Sequence, residues 1–129
     1  MSQNPNVLFV CEHGAAKSII AAAYFNKLAS KRNLEILAIA RGTNPDSELS
    51  PKTLAGLQND GISPSESVPQ KLTLPEVESA QQIIAFCDLP EEYQPKTLIE
   101  QWNDVPPVSE DYEKARDVLI KHILHILDR

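Results

Sequence analysis

Apolar positions in this 129-residue chain fall in short blocks that alternate between two spacings. Val7-Leu8-Phe9-Val10 is a continuous apolar run, the pattern of a strand buried on both faces and therefore central in its sheet. From Ser18 to about Lys31 the spacing changes. Ile19, Ile20, Ala23, Tyr24, Lys27 and Leu28 recur at three and four, which predicts a helix with the basic pair Lys31-Arg32 at its end. Leu34 to Ala40 predicts a second strand, broken by Arg41-Gly42-Thr43-Asn44-Pro45. Ser50 before Pro51 is a cap followed by the residue favoured at the first helical position, and Gly61 closes that helix near Asp60. Ile62 to Leu72, with three serines and two prolines, predicts a loop. Thr73-Leu74-Pro75-Glu76 fits a capping box that opens a short helix to about Ser79. Gln82 to Cys87 predicts a third strand. A connection with Pro90 and Pro95 follows, and then a short fourth strand, Thr97 to Gln101. Ser109 caps a last helix with Glu110, Asp111 and Glu113 in its first turn. The interior of that helix, Ala115 to Leu127, is apolar enough on one face to cover a sheet.

Strands alternating with helices predict an α/β fold: a parallel sheet with helices on both faces, joined by right-handed crossovers. Without repeats or a low-complexity linker, residues 1–129 read as one domain, long enough to bury a real core. Composition adds exclusions. A hydrophobic content of 42% with 23% charged residues is that of an ordinary soluble protein. A net charge of −6 argues against nucleic acid or an anionic membrane as partner. No apolar run approaches the ~20 residues of a membrane span. Met1 to Pro5 lacks the regions of a signal peptide. Cys11 and Cys87 are too few for a disulfide scaffold and have no zinc spacing. The expected compartment is the cytoplasm, where thiols stay reduced. Composition sets no oligomeric state.

Chemistry concentrates where the first strand meets the first helix. Cys11 ends the strand and Glu12, His13, Gly14, Ala15, Ala16, Lys17 and Ser18 lead into the helix. A strand–loop–helix corner points backbone N–H groups and the positive end of a helix dipole at one spot, which suits an oxyanion such as phosphate. The field of such a corner favours thiolate, the nucleophilic form of a cysteine. Small residues at 14 to 16 let backbone approach a tetrahedral anion. Lys17 adds a charge and Ser18 a hydroxyl. His13 has three readings: a donor to the bound anion, a group that helps keep Cys11 ionised, or an exposed loop residue.

With Cys-x5-Lys-Ser directly after the first strand, the chain resembles the low-molecular-weight protein tyrosine phosphatases and the thioredoxin-coupled arsenate reductases that share their fold. Their loop reads Cys-x5-Arg-Ser. Gly42-Thr43, Leu49-Ser50-Pro51, Gln81 to Asp88 and Trp102 to Pro107 extend the resemblance over almost the whole chain. It implies a four-stranded sheet of order 2-1-3-4 in a three-layer domain. Ligands in such sheets bind beyond the carboxyl ends of the strands where the winding reverses, which places Cys11 and Cys87 side by side.

The resemblance implies phosphomonoester hydrolysis, of the phosphotyrosine type, through a cysteinyl-phosphate on Cys11, with no cofactor and no metal. Lys17 stands where the family has arginine, so a point charge replaces a planar fork and slow turnover is expected. The family's acid, an aspartate before proline, has Asp104 as its counterpart in Trp102-Asn103-Asp104-Val105-Pro106-Pro107. Asp104 either serves from a shifted position or leaves the loop without an acid. Arg41 ends the second strand on the same edge, as a partial substitute for the missing arginine or as a surface salt bridge. In the reductases oxidation passes to a second and a third cysteine. Cys87 matches the second, but Gln94 before Pro95 stands at the third, so the full relay is closed to this chain and a Cys11–Cys87 disulfide is the redox option left. The alternatives to a phosphatase are therefore an arsenate reductase-like protein using an external thiol, or a non-catalytic binder of oxyanions or phosphoproteins. His122 and His125, three apart on the last helix, read as surface histidines.

Overall fold

The computed structural model describes residues 7–93 and 98–128. Four strands, β1 (Val7–Cys11), β2 (Ala38–Gly42), β3 (Gln82–Ala85) and β4 (Ile99–Gln101), form one sheet of order β2-β1-β3-β4. Every pairing is parallel, with Val7 opposite both Ala38 and Gln82, and Ile83 opposite Ile99. The expected order and α/β class are what the chain adopts. β1 is central and wholly buried, as its unbroken apolar run requires.

Alternation along β1 divides the core in two. Val7 and Phe9 face one layer, in which α1 (Lys17–Lys31), α2 (Pro51–Asn59) and α4 (Tyr112–Leu127) pack together. Leu8 and Val10 face a smaller layer with Val77 of α3 (Leu74–Ser79) and Tyr93 of a single 3-10 turn at Glu91–Tyr93. α1 is buried along Ser18 to Phe25, because both the sheet and α4 pack against it. Phe9 anchors the larger core, with ring centroids 6.0 Å from Phe25 and 5.6 Å from Trp102. Truncating such a ring typically costs about 3–5 kcal/mol.

Local signals account for the caps. Ser50 accepts from the Thr53 N–H with Pro51 at the first helical position, and Thr73 and Glu76 form the expected reciprocal box. Gly61 takes a positive φ of 73° after α2.

Four boundaries differ from expectation. The second strand is Ala38–Gly42 rather than Leu34 to Ala40. Leu34 N–H still bonds back to Ala29, and the Asn26 amide brackets Ala38 by accepting from its N–H and donating to its carbonyl, so pairing starts there. The pairing runs on through Gly42, which also bridges to Lys71 inside the expected 62–72 loop. β3 stops at Ala85, two residues short of Cys87. Asp111 rather than Ser109 caps α4, accepting from the Lys114 N–H at 3.1 Å. The expected onset of β4 at Thr97 lies outside the described residues, as do Gln94 and Pro95. No helix among the described residues is long and apolar enough to cross a membrane.

Candidate active site

β1 delivers Cys11 to the carboxyl edge of the sheet, and the chain turns back into α1 through residues 12–16. Gly14 makes the turn possible. Its φ is +61°, and a Cβ there would lie 2.9 Å from the Gly42 nitrogen. A Cβ on Gly42 would meet the Gly14 nitrogen at 2.7 Å, so these two glycines let the β1 and β2 ends touch backbone to backbone.

Loop carbonyls are turned outward. Those of Cys11, Glu12, His13 and Ala15 accept from the N–H groups of Thr43, Asn44, Asp46 and Ser50, and that of Ala16 from Ile20. A trans peptide sets its N–H opposite its C=O. The N–H groups of Glu12, His13, Gly14, Ala16 and Lys17 thereby lie on the other side of their peptides from those bonded carbonyls. The start of α1 breaks the usual rules. Its N-cap is Ala16, which makes no side-chain cap bond, and its first turn holds no acid. Lys17 stands instead at its first position, where the dipole disfavours a cation. Local rules broken together at one spot mark a candidate site.

An open cavity of about 350 Å³ lies over this corner. Cys11, Glu12, His13, Ala15, Ala16 and Lys17 line it, with Phe86 and Cys87 from beyond β3 and Asp46, Ser50, Val108 and Ser109 from the neighbouring loops. Cys11 is 8% exposed, and its sulfur lies 2.9 Å from the Oγ of the fully buried Ser18. Lys17 makes no ion pair among the described residues. At the mouth, His13 Nε2 is 3.3 Å from Glu12 Oε2 and His13 Nδ1 is 3.2 Å from Asp46 Oδ1, with all three side chains more than half exposed.

Cys11 and Cys87 share the cavity as free thiols. Burial pushes the Cys87 thiol up to about 11, the charges of Cys11 and Glu12 add to this, and a hydrogen bond with the Thr43 hydroxyl opposes it. Gly14 and Ser18, both expected at the anion site, do not line the cavity.

Two residues lie elsewhere. Asp104 does not line the cavity; both its carboxylate oxygens meet His122 Nε2 on α4, at 2.8 and 2.9 Å. The His122 hydrogen bond holds the Asp104 carboxyl below the usual carboxylate range. His122 in turn stacks on Trp102 at 4.5 Å, and the indole N–H donates to Glu100 at 2.7 Å. Arg41 forms salt bridges, with its guanidinium on Glu76 at 2.8 Å and Glu66 at 3.2 Å, and does not line the cavity. His122 and His125 border a surface groove with Asp104, and among the described residues no three His, Cys, Asp or Glu side chains cluster closely enough to hold a metal.

Sequence reasoning passed over Asp46, Phe86, Val108 and Ser109. The available signal was positional, since each follows a strand and so belongs to the ligand edge of a parallel sheet.

The family model for low molecular weight phosphotyrosine protein phosphatase matches residues 6–119. No curated protein matches the sequence significantly. Among solved structures, YfkJ from Bacillus subtilis is similar at a TM-score of 0.82 and 21% identity, over 98% of this chain and 94% of that one. An arsenate reductase from Archaeoglobus fulgidus is similar at 0.76 and 20% identity, over 95% and 99% of the two chains. A low molecular weight protein tyrosine phosphatase from Streptococcus pyogenes is similar at 0.76 and 17% identity, over 97% and 92%. At these identities the likeness concerns the fold.

Proposed function

The chain belongs to the low molecular weight phosphotyrosine protein phosphatase family, and from that premise we propose that it hydrolyses phosphomonoesters through a cysteinyl-phosphate on Cys11. The observation that carries the reading is the uncapped start of α1, with Lys17 at its first position, lining one cavity with Cys11.

In this reading the phosphoryl group sits in the loop with its oxygens on the loop N–H groups and the Lys17 ammonium. The Cys11 thiolate attacks phosphorus while the Ser18 hydroxyl supports the sulfur. The S–P bond forms as the ester P–O bond breaks and the leaving oxygen takes a proton. Water then attacks phosphorus, phosphate departs and the thiolate returns, so one displacement becomes two easier ones. Preorganised N–H groups act throughout without reorganising, which is where most of the acceleration arises. Lys17 supplies charge but no planar fork, so turnover is slow for such a loop.

A second reading rests on Cys87. Arsenate has the shape and charge of phosphate, and a cysteinyl-arsenate on Cys11 could be resolved by a thiol attacking the Cys11 sulfur, releasing arsenite and leaving a disulfide. Raised to about 11, the Cys87 thiol is a poor attacker at neutral pH. That favours an external thiol for the step and ranks this reading second.

Hydrolysis of p-nitrophenyl phosphate between pH 5 and 7 under reducing conditions, beside Cys11→Ser, tests the reading. Turnover by the wild type that the serine abolishes is expected. Stabilisation by phosphate in a thermal melt without turnover would instead support a binder. Arsenite formation with added thiol and no hydrolysis would move the reading to the reductase.

A further inference from the structure

We propose that His13 is the proton donor to the leaving group at the Cys11 site. The inference rests on the phosphomonoesterase reading above and assigns the step that reading leaves open. Breaking the ester P–O bond of an unactivated substrate expels a strongly basic oxygen, and a positioned acid at that moment typically contributes about 10²–10⁴ in rate.

The cavity lining limits the choice. Its ionisable groups are Cys11, Glu12, His13, Lys17, Asp46 and Cys87. Cys11 is the nucleophile, and Lys17 stands in the anion cradle. Asp104 is absent from the lining, held by His122 on α4 while His122 is itself stacked on Trp102. Burial holds the proton of Cys87 tightly, with its thiol pushed up to about 11, which leaves the group at the mouth. The His13 ring has a carboxylate at each nitrogen, Glu12 at Nε2 and Asp46 at Nδ1. The two carboxylates hold the ring between them at ion-pair distance, 3.3 Å from Glu12 and 3.2 Å from Asp46. Histidine is the side chain type suited to passing a proton near neutral pH, and this one stands at the mouth of the cradle. Asp46 fixes the position twice, since its N–H also donates to the His13 carbonyl at 3.0 Å.

The step balances. As the Cys11 sulfur bonds phosphorus and the P–O bond breaks, one His13 N–H proton passes to the leaving oxygen. The alcohol departs and neutral His13 keeps its other N–H on a carboxylate. The water that next attacks phosphorus returns its proton to His13, and phosphate leaves with the Cys11 thiolate regenerated.

The test compares phenyl phosphate, whose leaving group needs the proton, with p-nitrophenyl phosphate, whose leaving group barely does. His13→Asn and His13→Gln are expected to lower kcat/KM on phenyl phosphate about 100-fold and on p-nitrophenyl phosphate less than about fivefold. His13 is more than half exposed, so both variants should melt with the wild type. Equal losses on both substrates, no loss on either, or the selective loss appearing in Asp104→Asn instead would overturn the assignment. Failure of the underlying reading looks different: the wild type would then show no Cys11-dependent turnover of either ester.

Discussion

The Ser18 hydroxyl lies 2.9 Å from the Cys11 sulfur, fully buried in the first turn of α1. Strand end and helix start are thereby joined through the atom that would do the chemistry. A hydrogen bond to a charged group contributes about 1.5–3 kcal/mol, and alanine removes it with almost no change of shape. Ser18→Ala should therefore slow Cys11-dependent hydrolysis of p-nitrophenyl phosphate by about tenfold or more. Alkylation of Cys11 by iodoacetamide should slow alongside it. A retained rate in both assays would show that the sulfur needs no partner there.

Gly14 and Gly42 constrain each other, and neither tolerates a methyl group. A Cβ on Gly42 would lie 2.7 Å from the Gly14 nitrogen and 2.9 Å from its Cα, against backbone that has no free rotamer to yield. Gly42→Ala should lower stability by about 1–3 kcal/mol, read as a fall in Tm. Phosphate-dependent stabilisation should weaken further, because the shift falls on the loop itself. An unchanged Tm would mean that the two strand ends separate at little cost.

How far the site could be read in advance depended on how local its causes are. The Cys11 loop was legible because a buried strand, a run of small residues and a misplaced lysine lie within twelve positions. The sheet order followed from the resemblance. The second strand slipped because Leu34-Glu35-Ile36-Leu37 has the composition of a strand. Its start is set instead by the Asn26 amide, twelve residues away on α1. That Asp104 is not directly before a proline is plain in the sequence. What holds it, His122, is eighteen residues further on, and no motif connects the two. The carboxylate pair on His13 joins a neighbour to Asp46, a contact made only when β2 lies beside β1.

Asp60 ties three helices together, with a pH signature. It accepts from Tyr24 of α1 and from Tyr112 and Arg116 of α4, just past the end of α2. Burial raises its carboxyl, but these donors together outweigh burial and hold it below the usual range. A lowered carboxyl contributes stability that is complete above the unfolded value and disappears as pH falls through the folded one. Asp60→Asn should therefore melt well below the wild type at pH 7, by about 2–3 kcal/mol. The gap should narrow below pH 4. Tyr24 gives the opposite limb. Burial, then the Asp60 hydrogen bond and charge, push it up to about 12, so its contribution is complete below pH 10 and fades between 10 and 12. Melts of wild type, Asp60→Asn and Tyr24→Phe across both ranges check both signs.

Lys17 offers the sharpest single substitution in the loop. Its side chain lines the cavity from the first position of α1 and makes no ion pair among the described residues. Lys17→Arg would thus exchange one cation for another without dismantling a contact. The guanidinium adds a planar pair of donors that can hold two phosphoryl oxygens at once. If the lysine limits turnover because it cannot orient those oxygens in the transition state, arginine should raise kcat on p-nitrophenyl phosphate by about 10–100-fold. KM should change little, since both residues supply the same ground-state charge. A fall in KM with unchanged kcat would assign residue 17 to binding alone, and would mean that slow chemistry in this loop has another cause. Loss of activity would mean that the cavity is shaped around the ammonium itself.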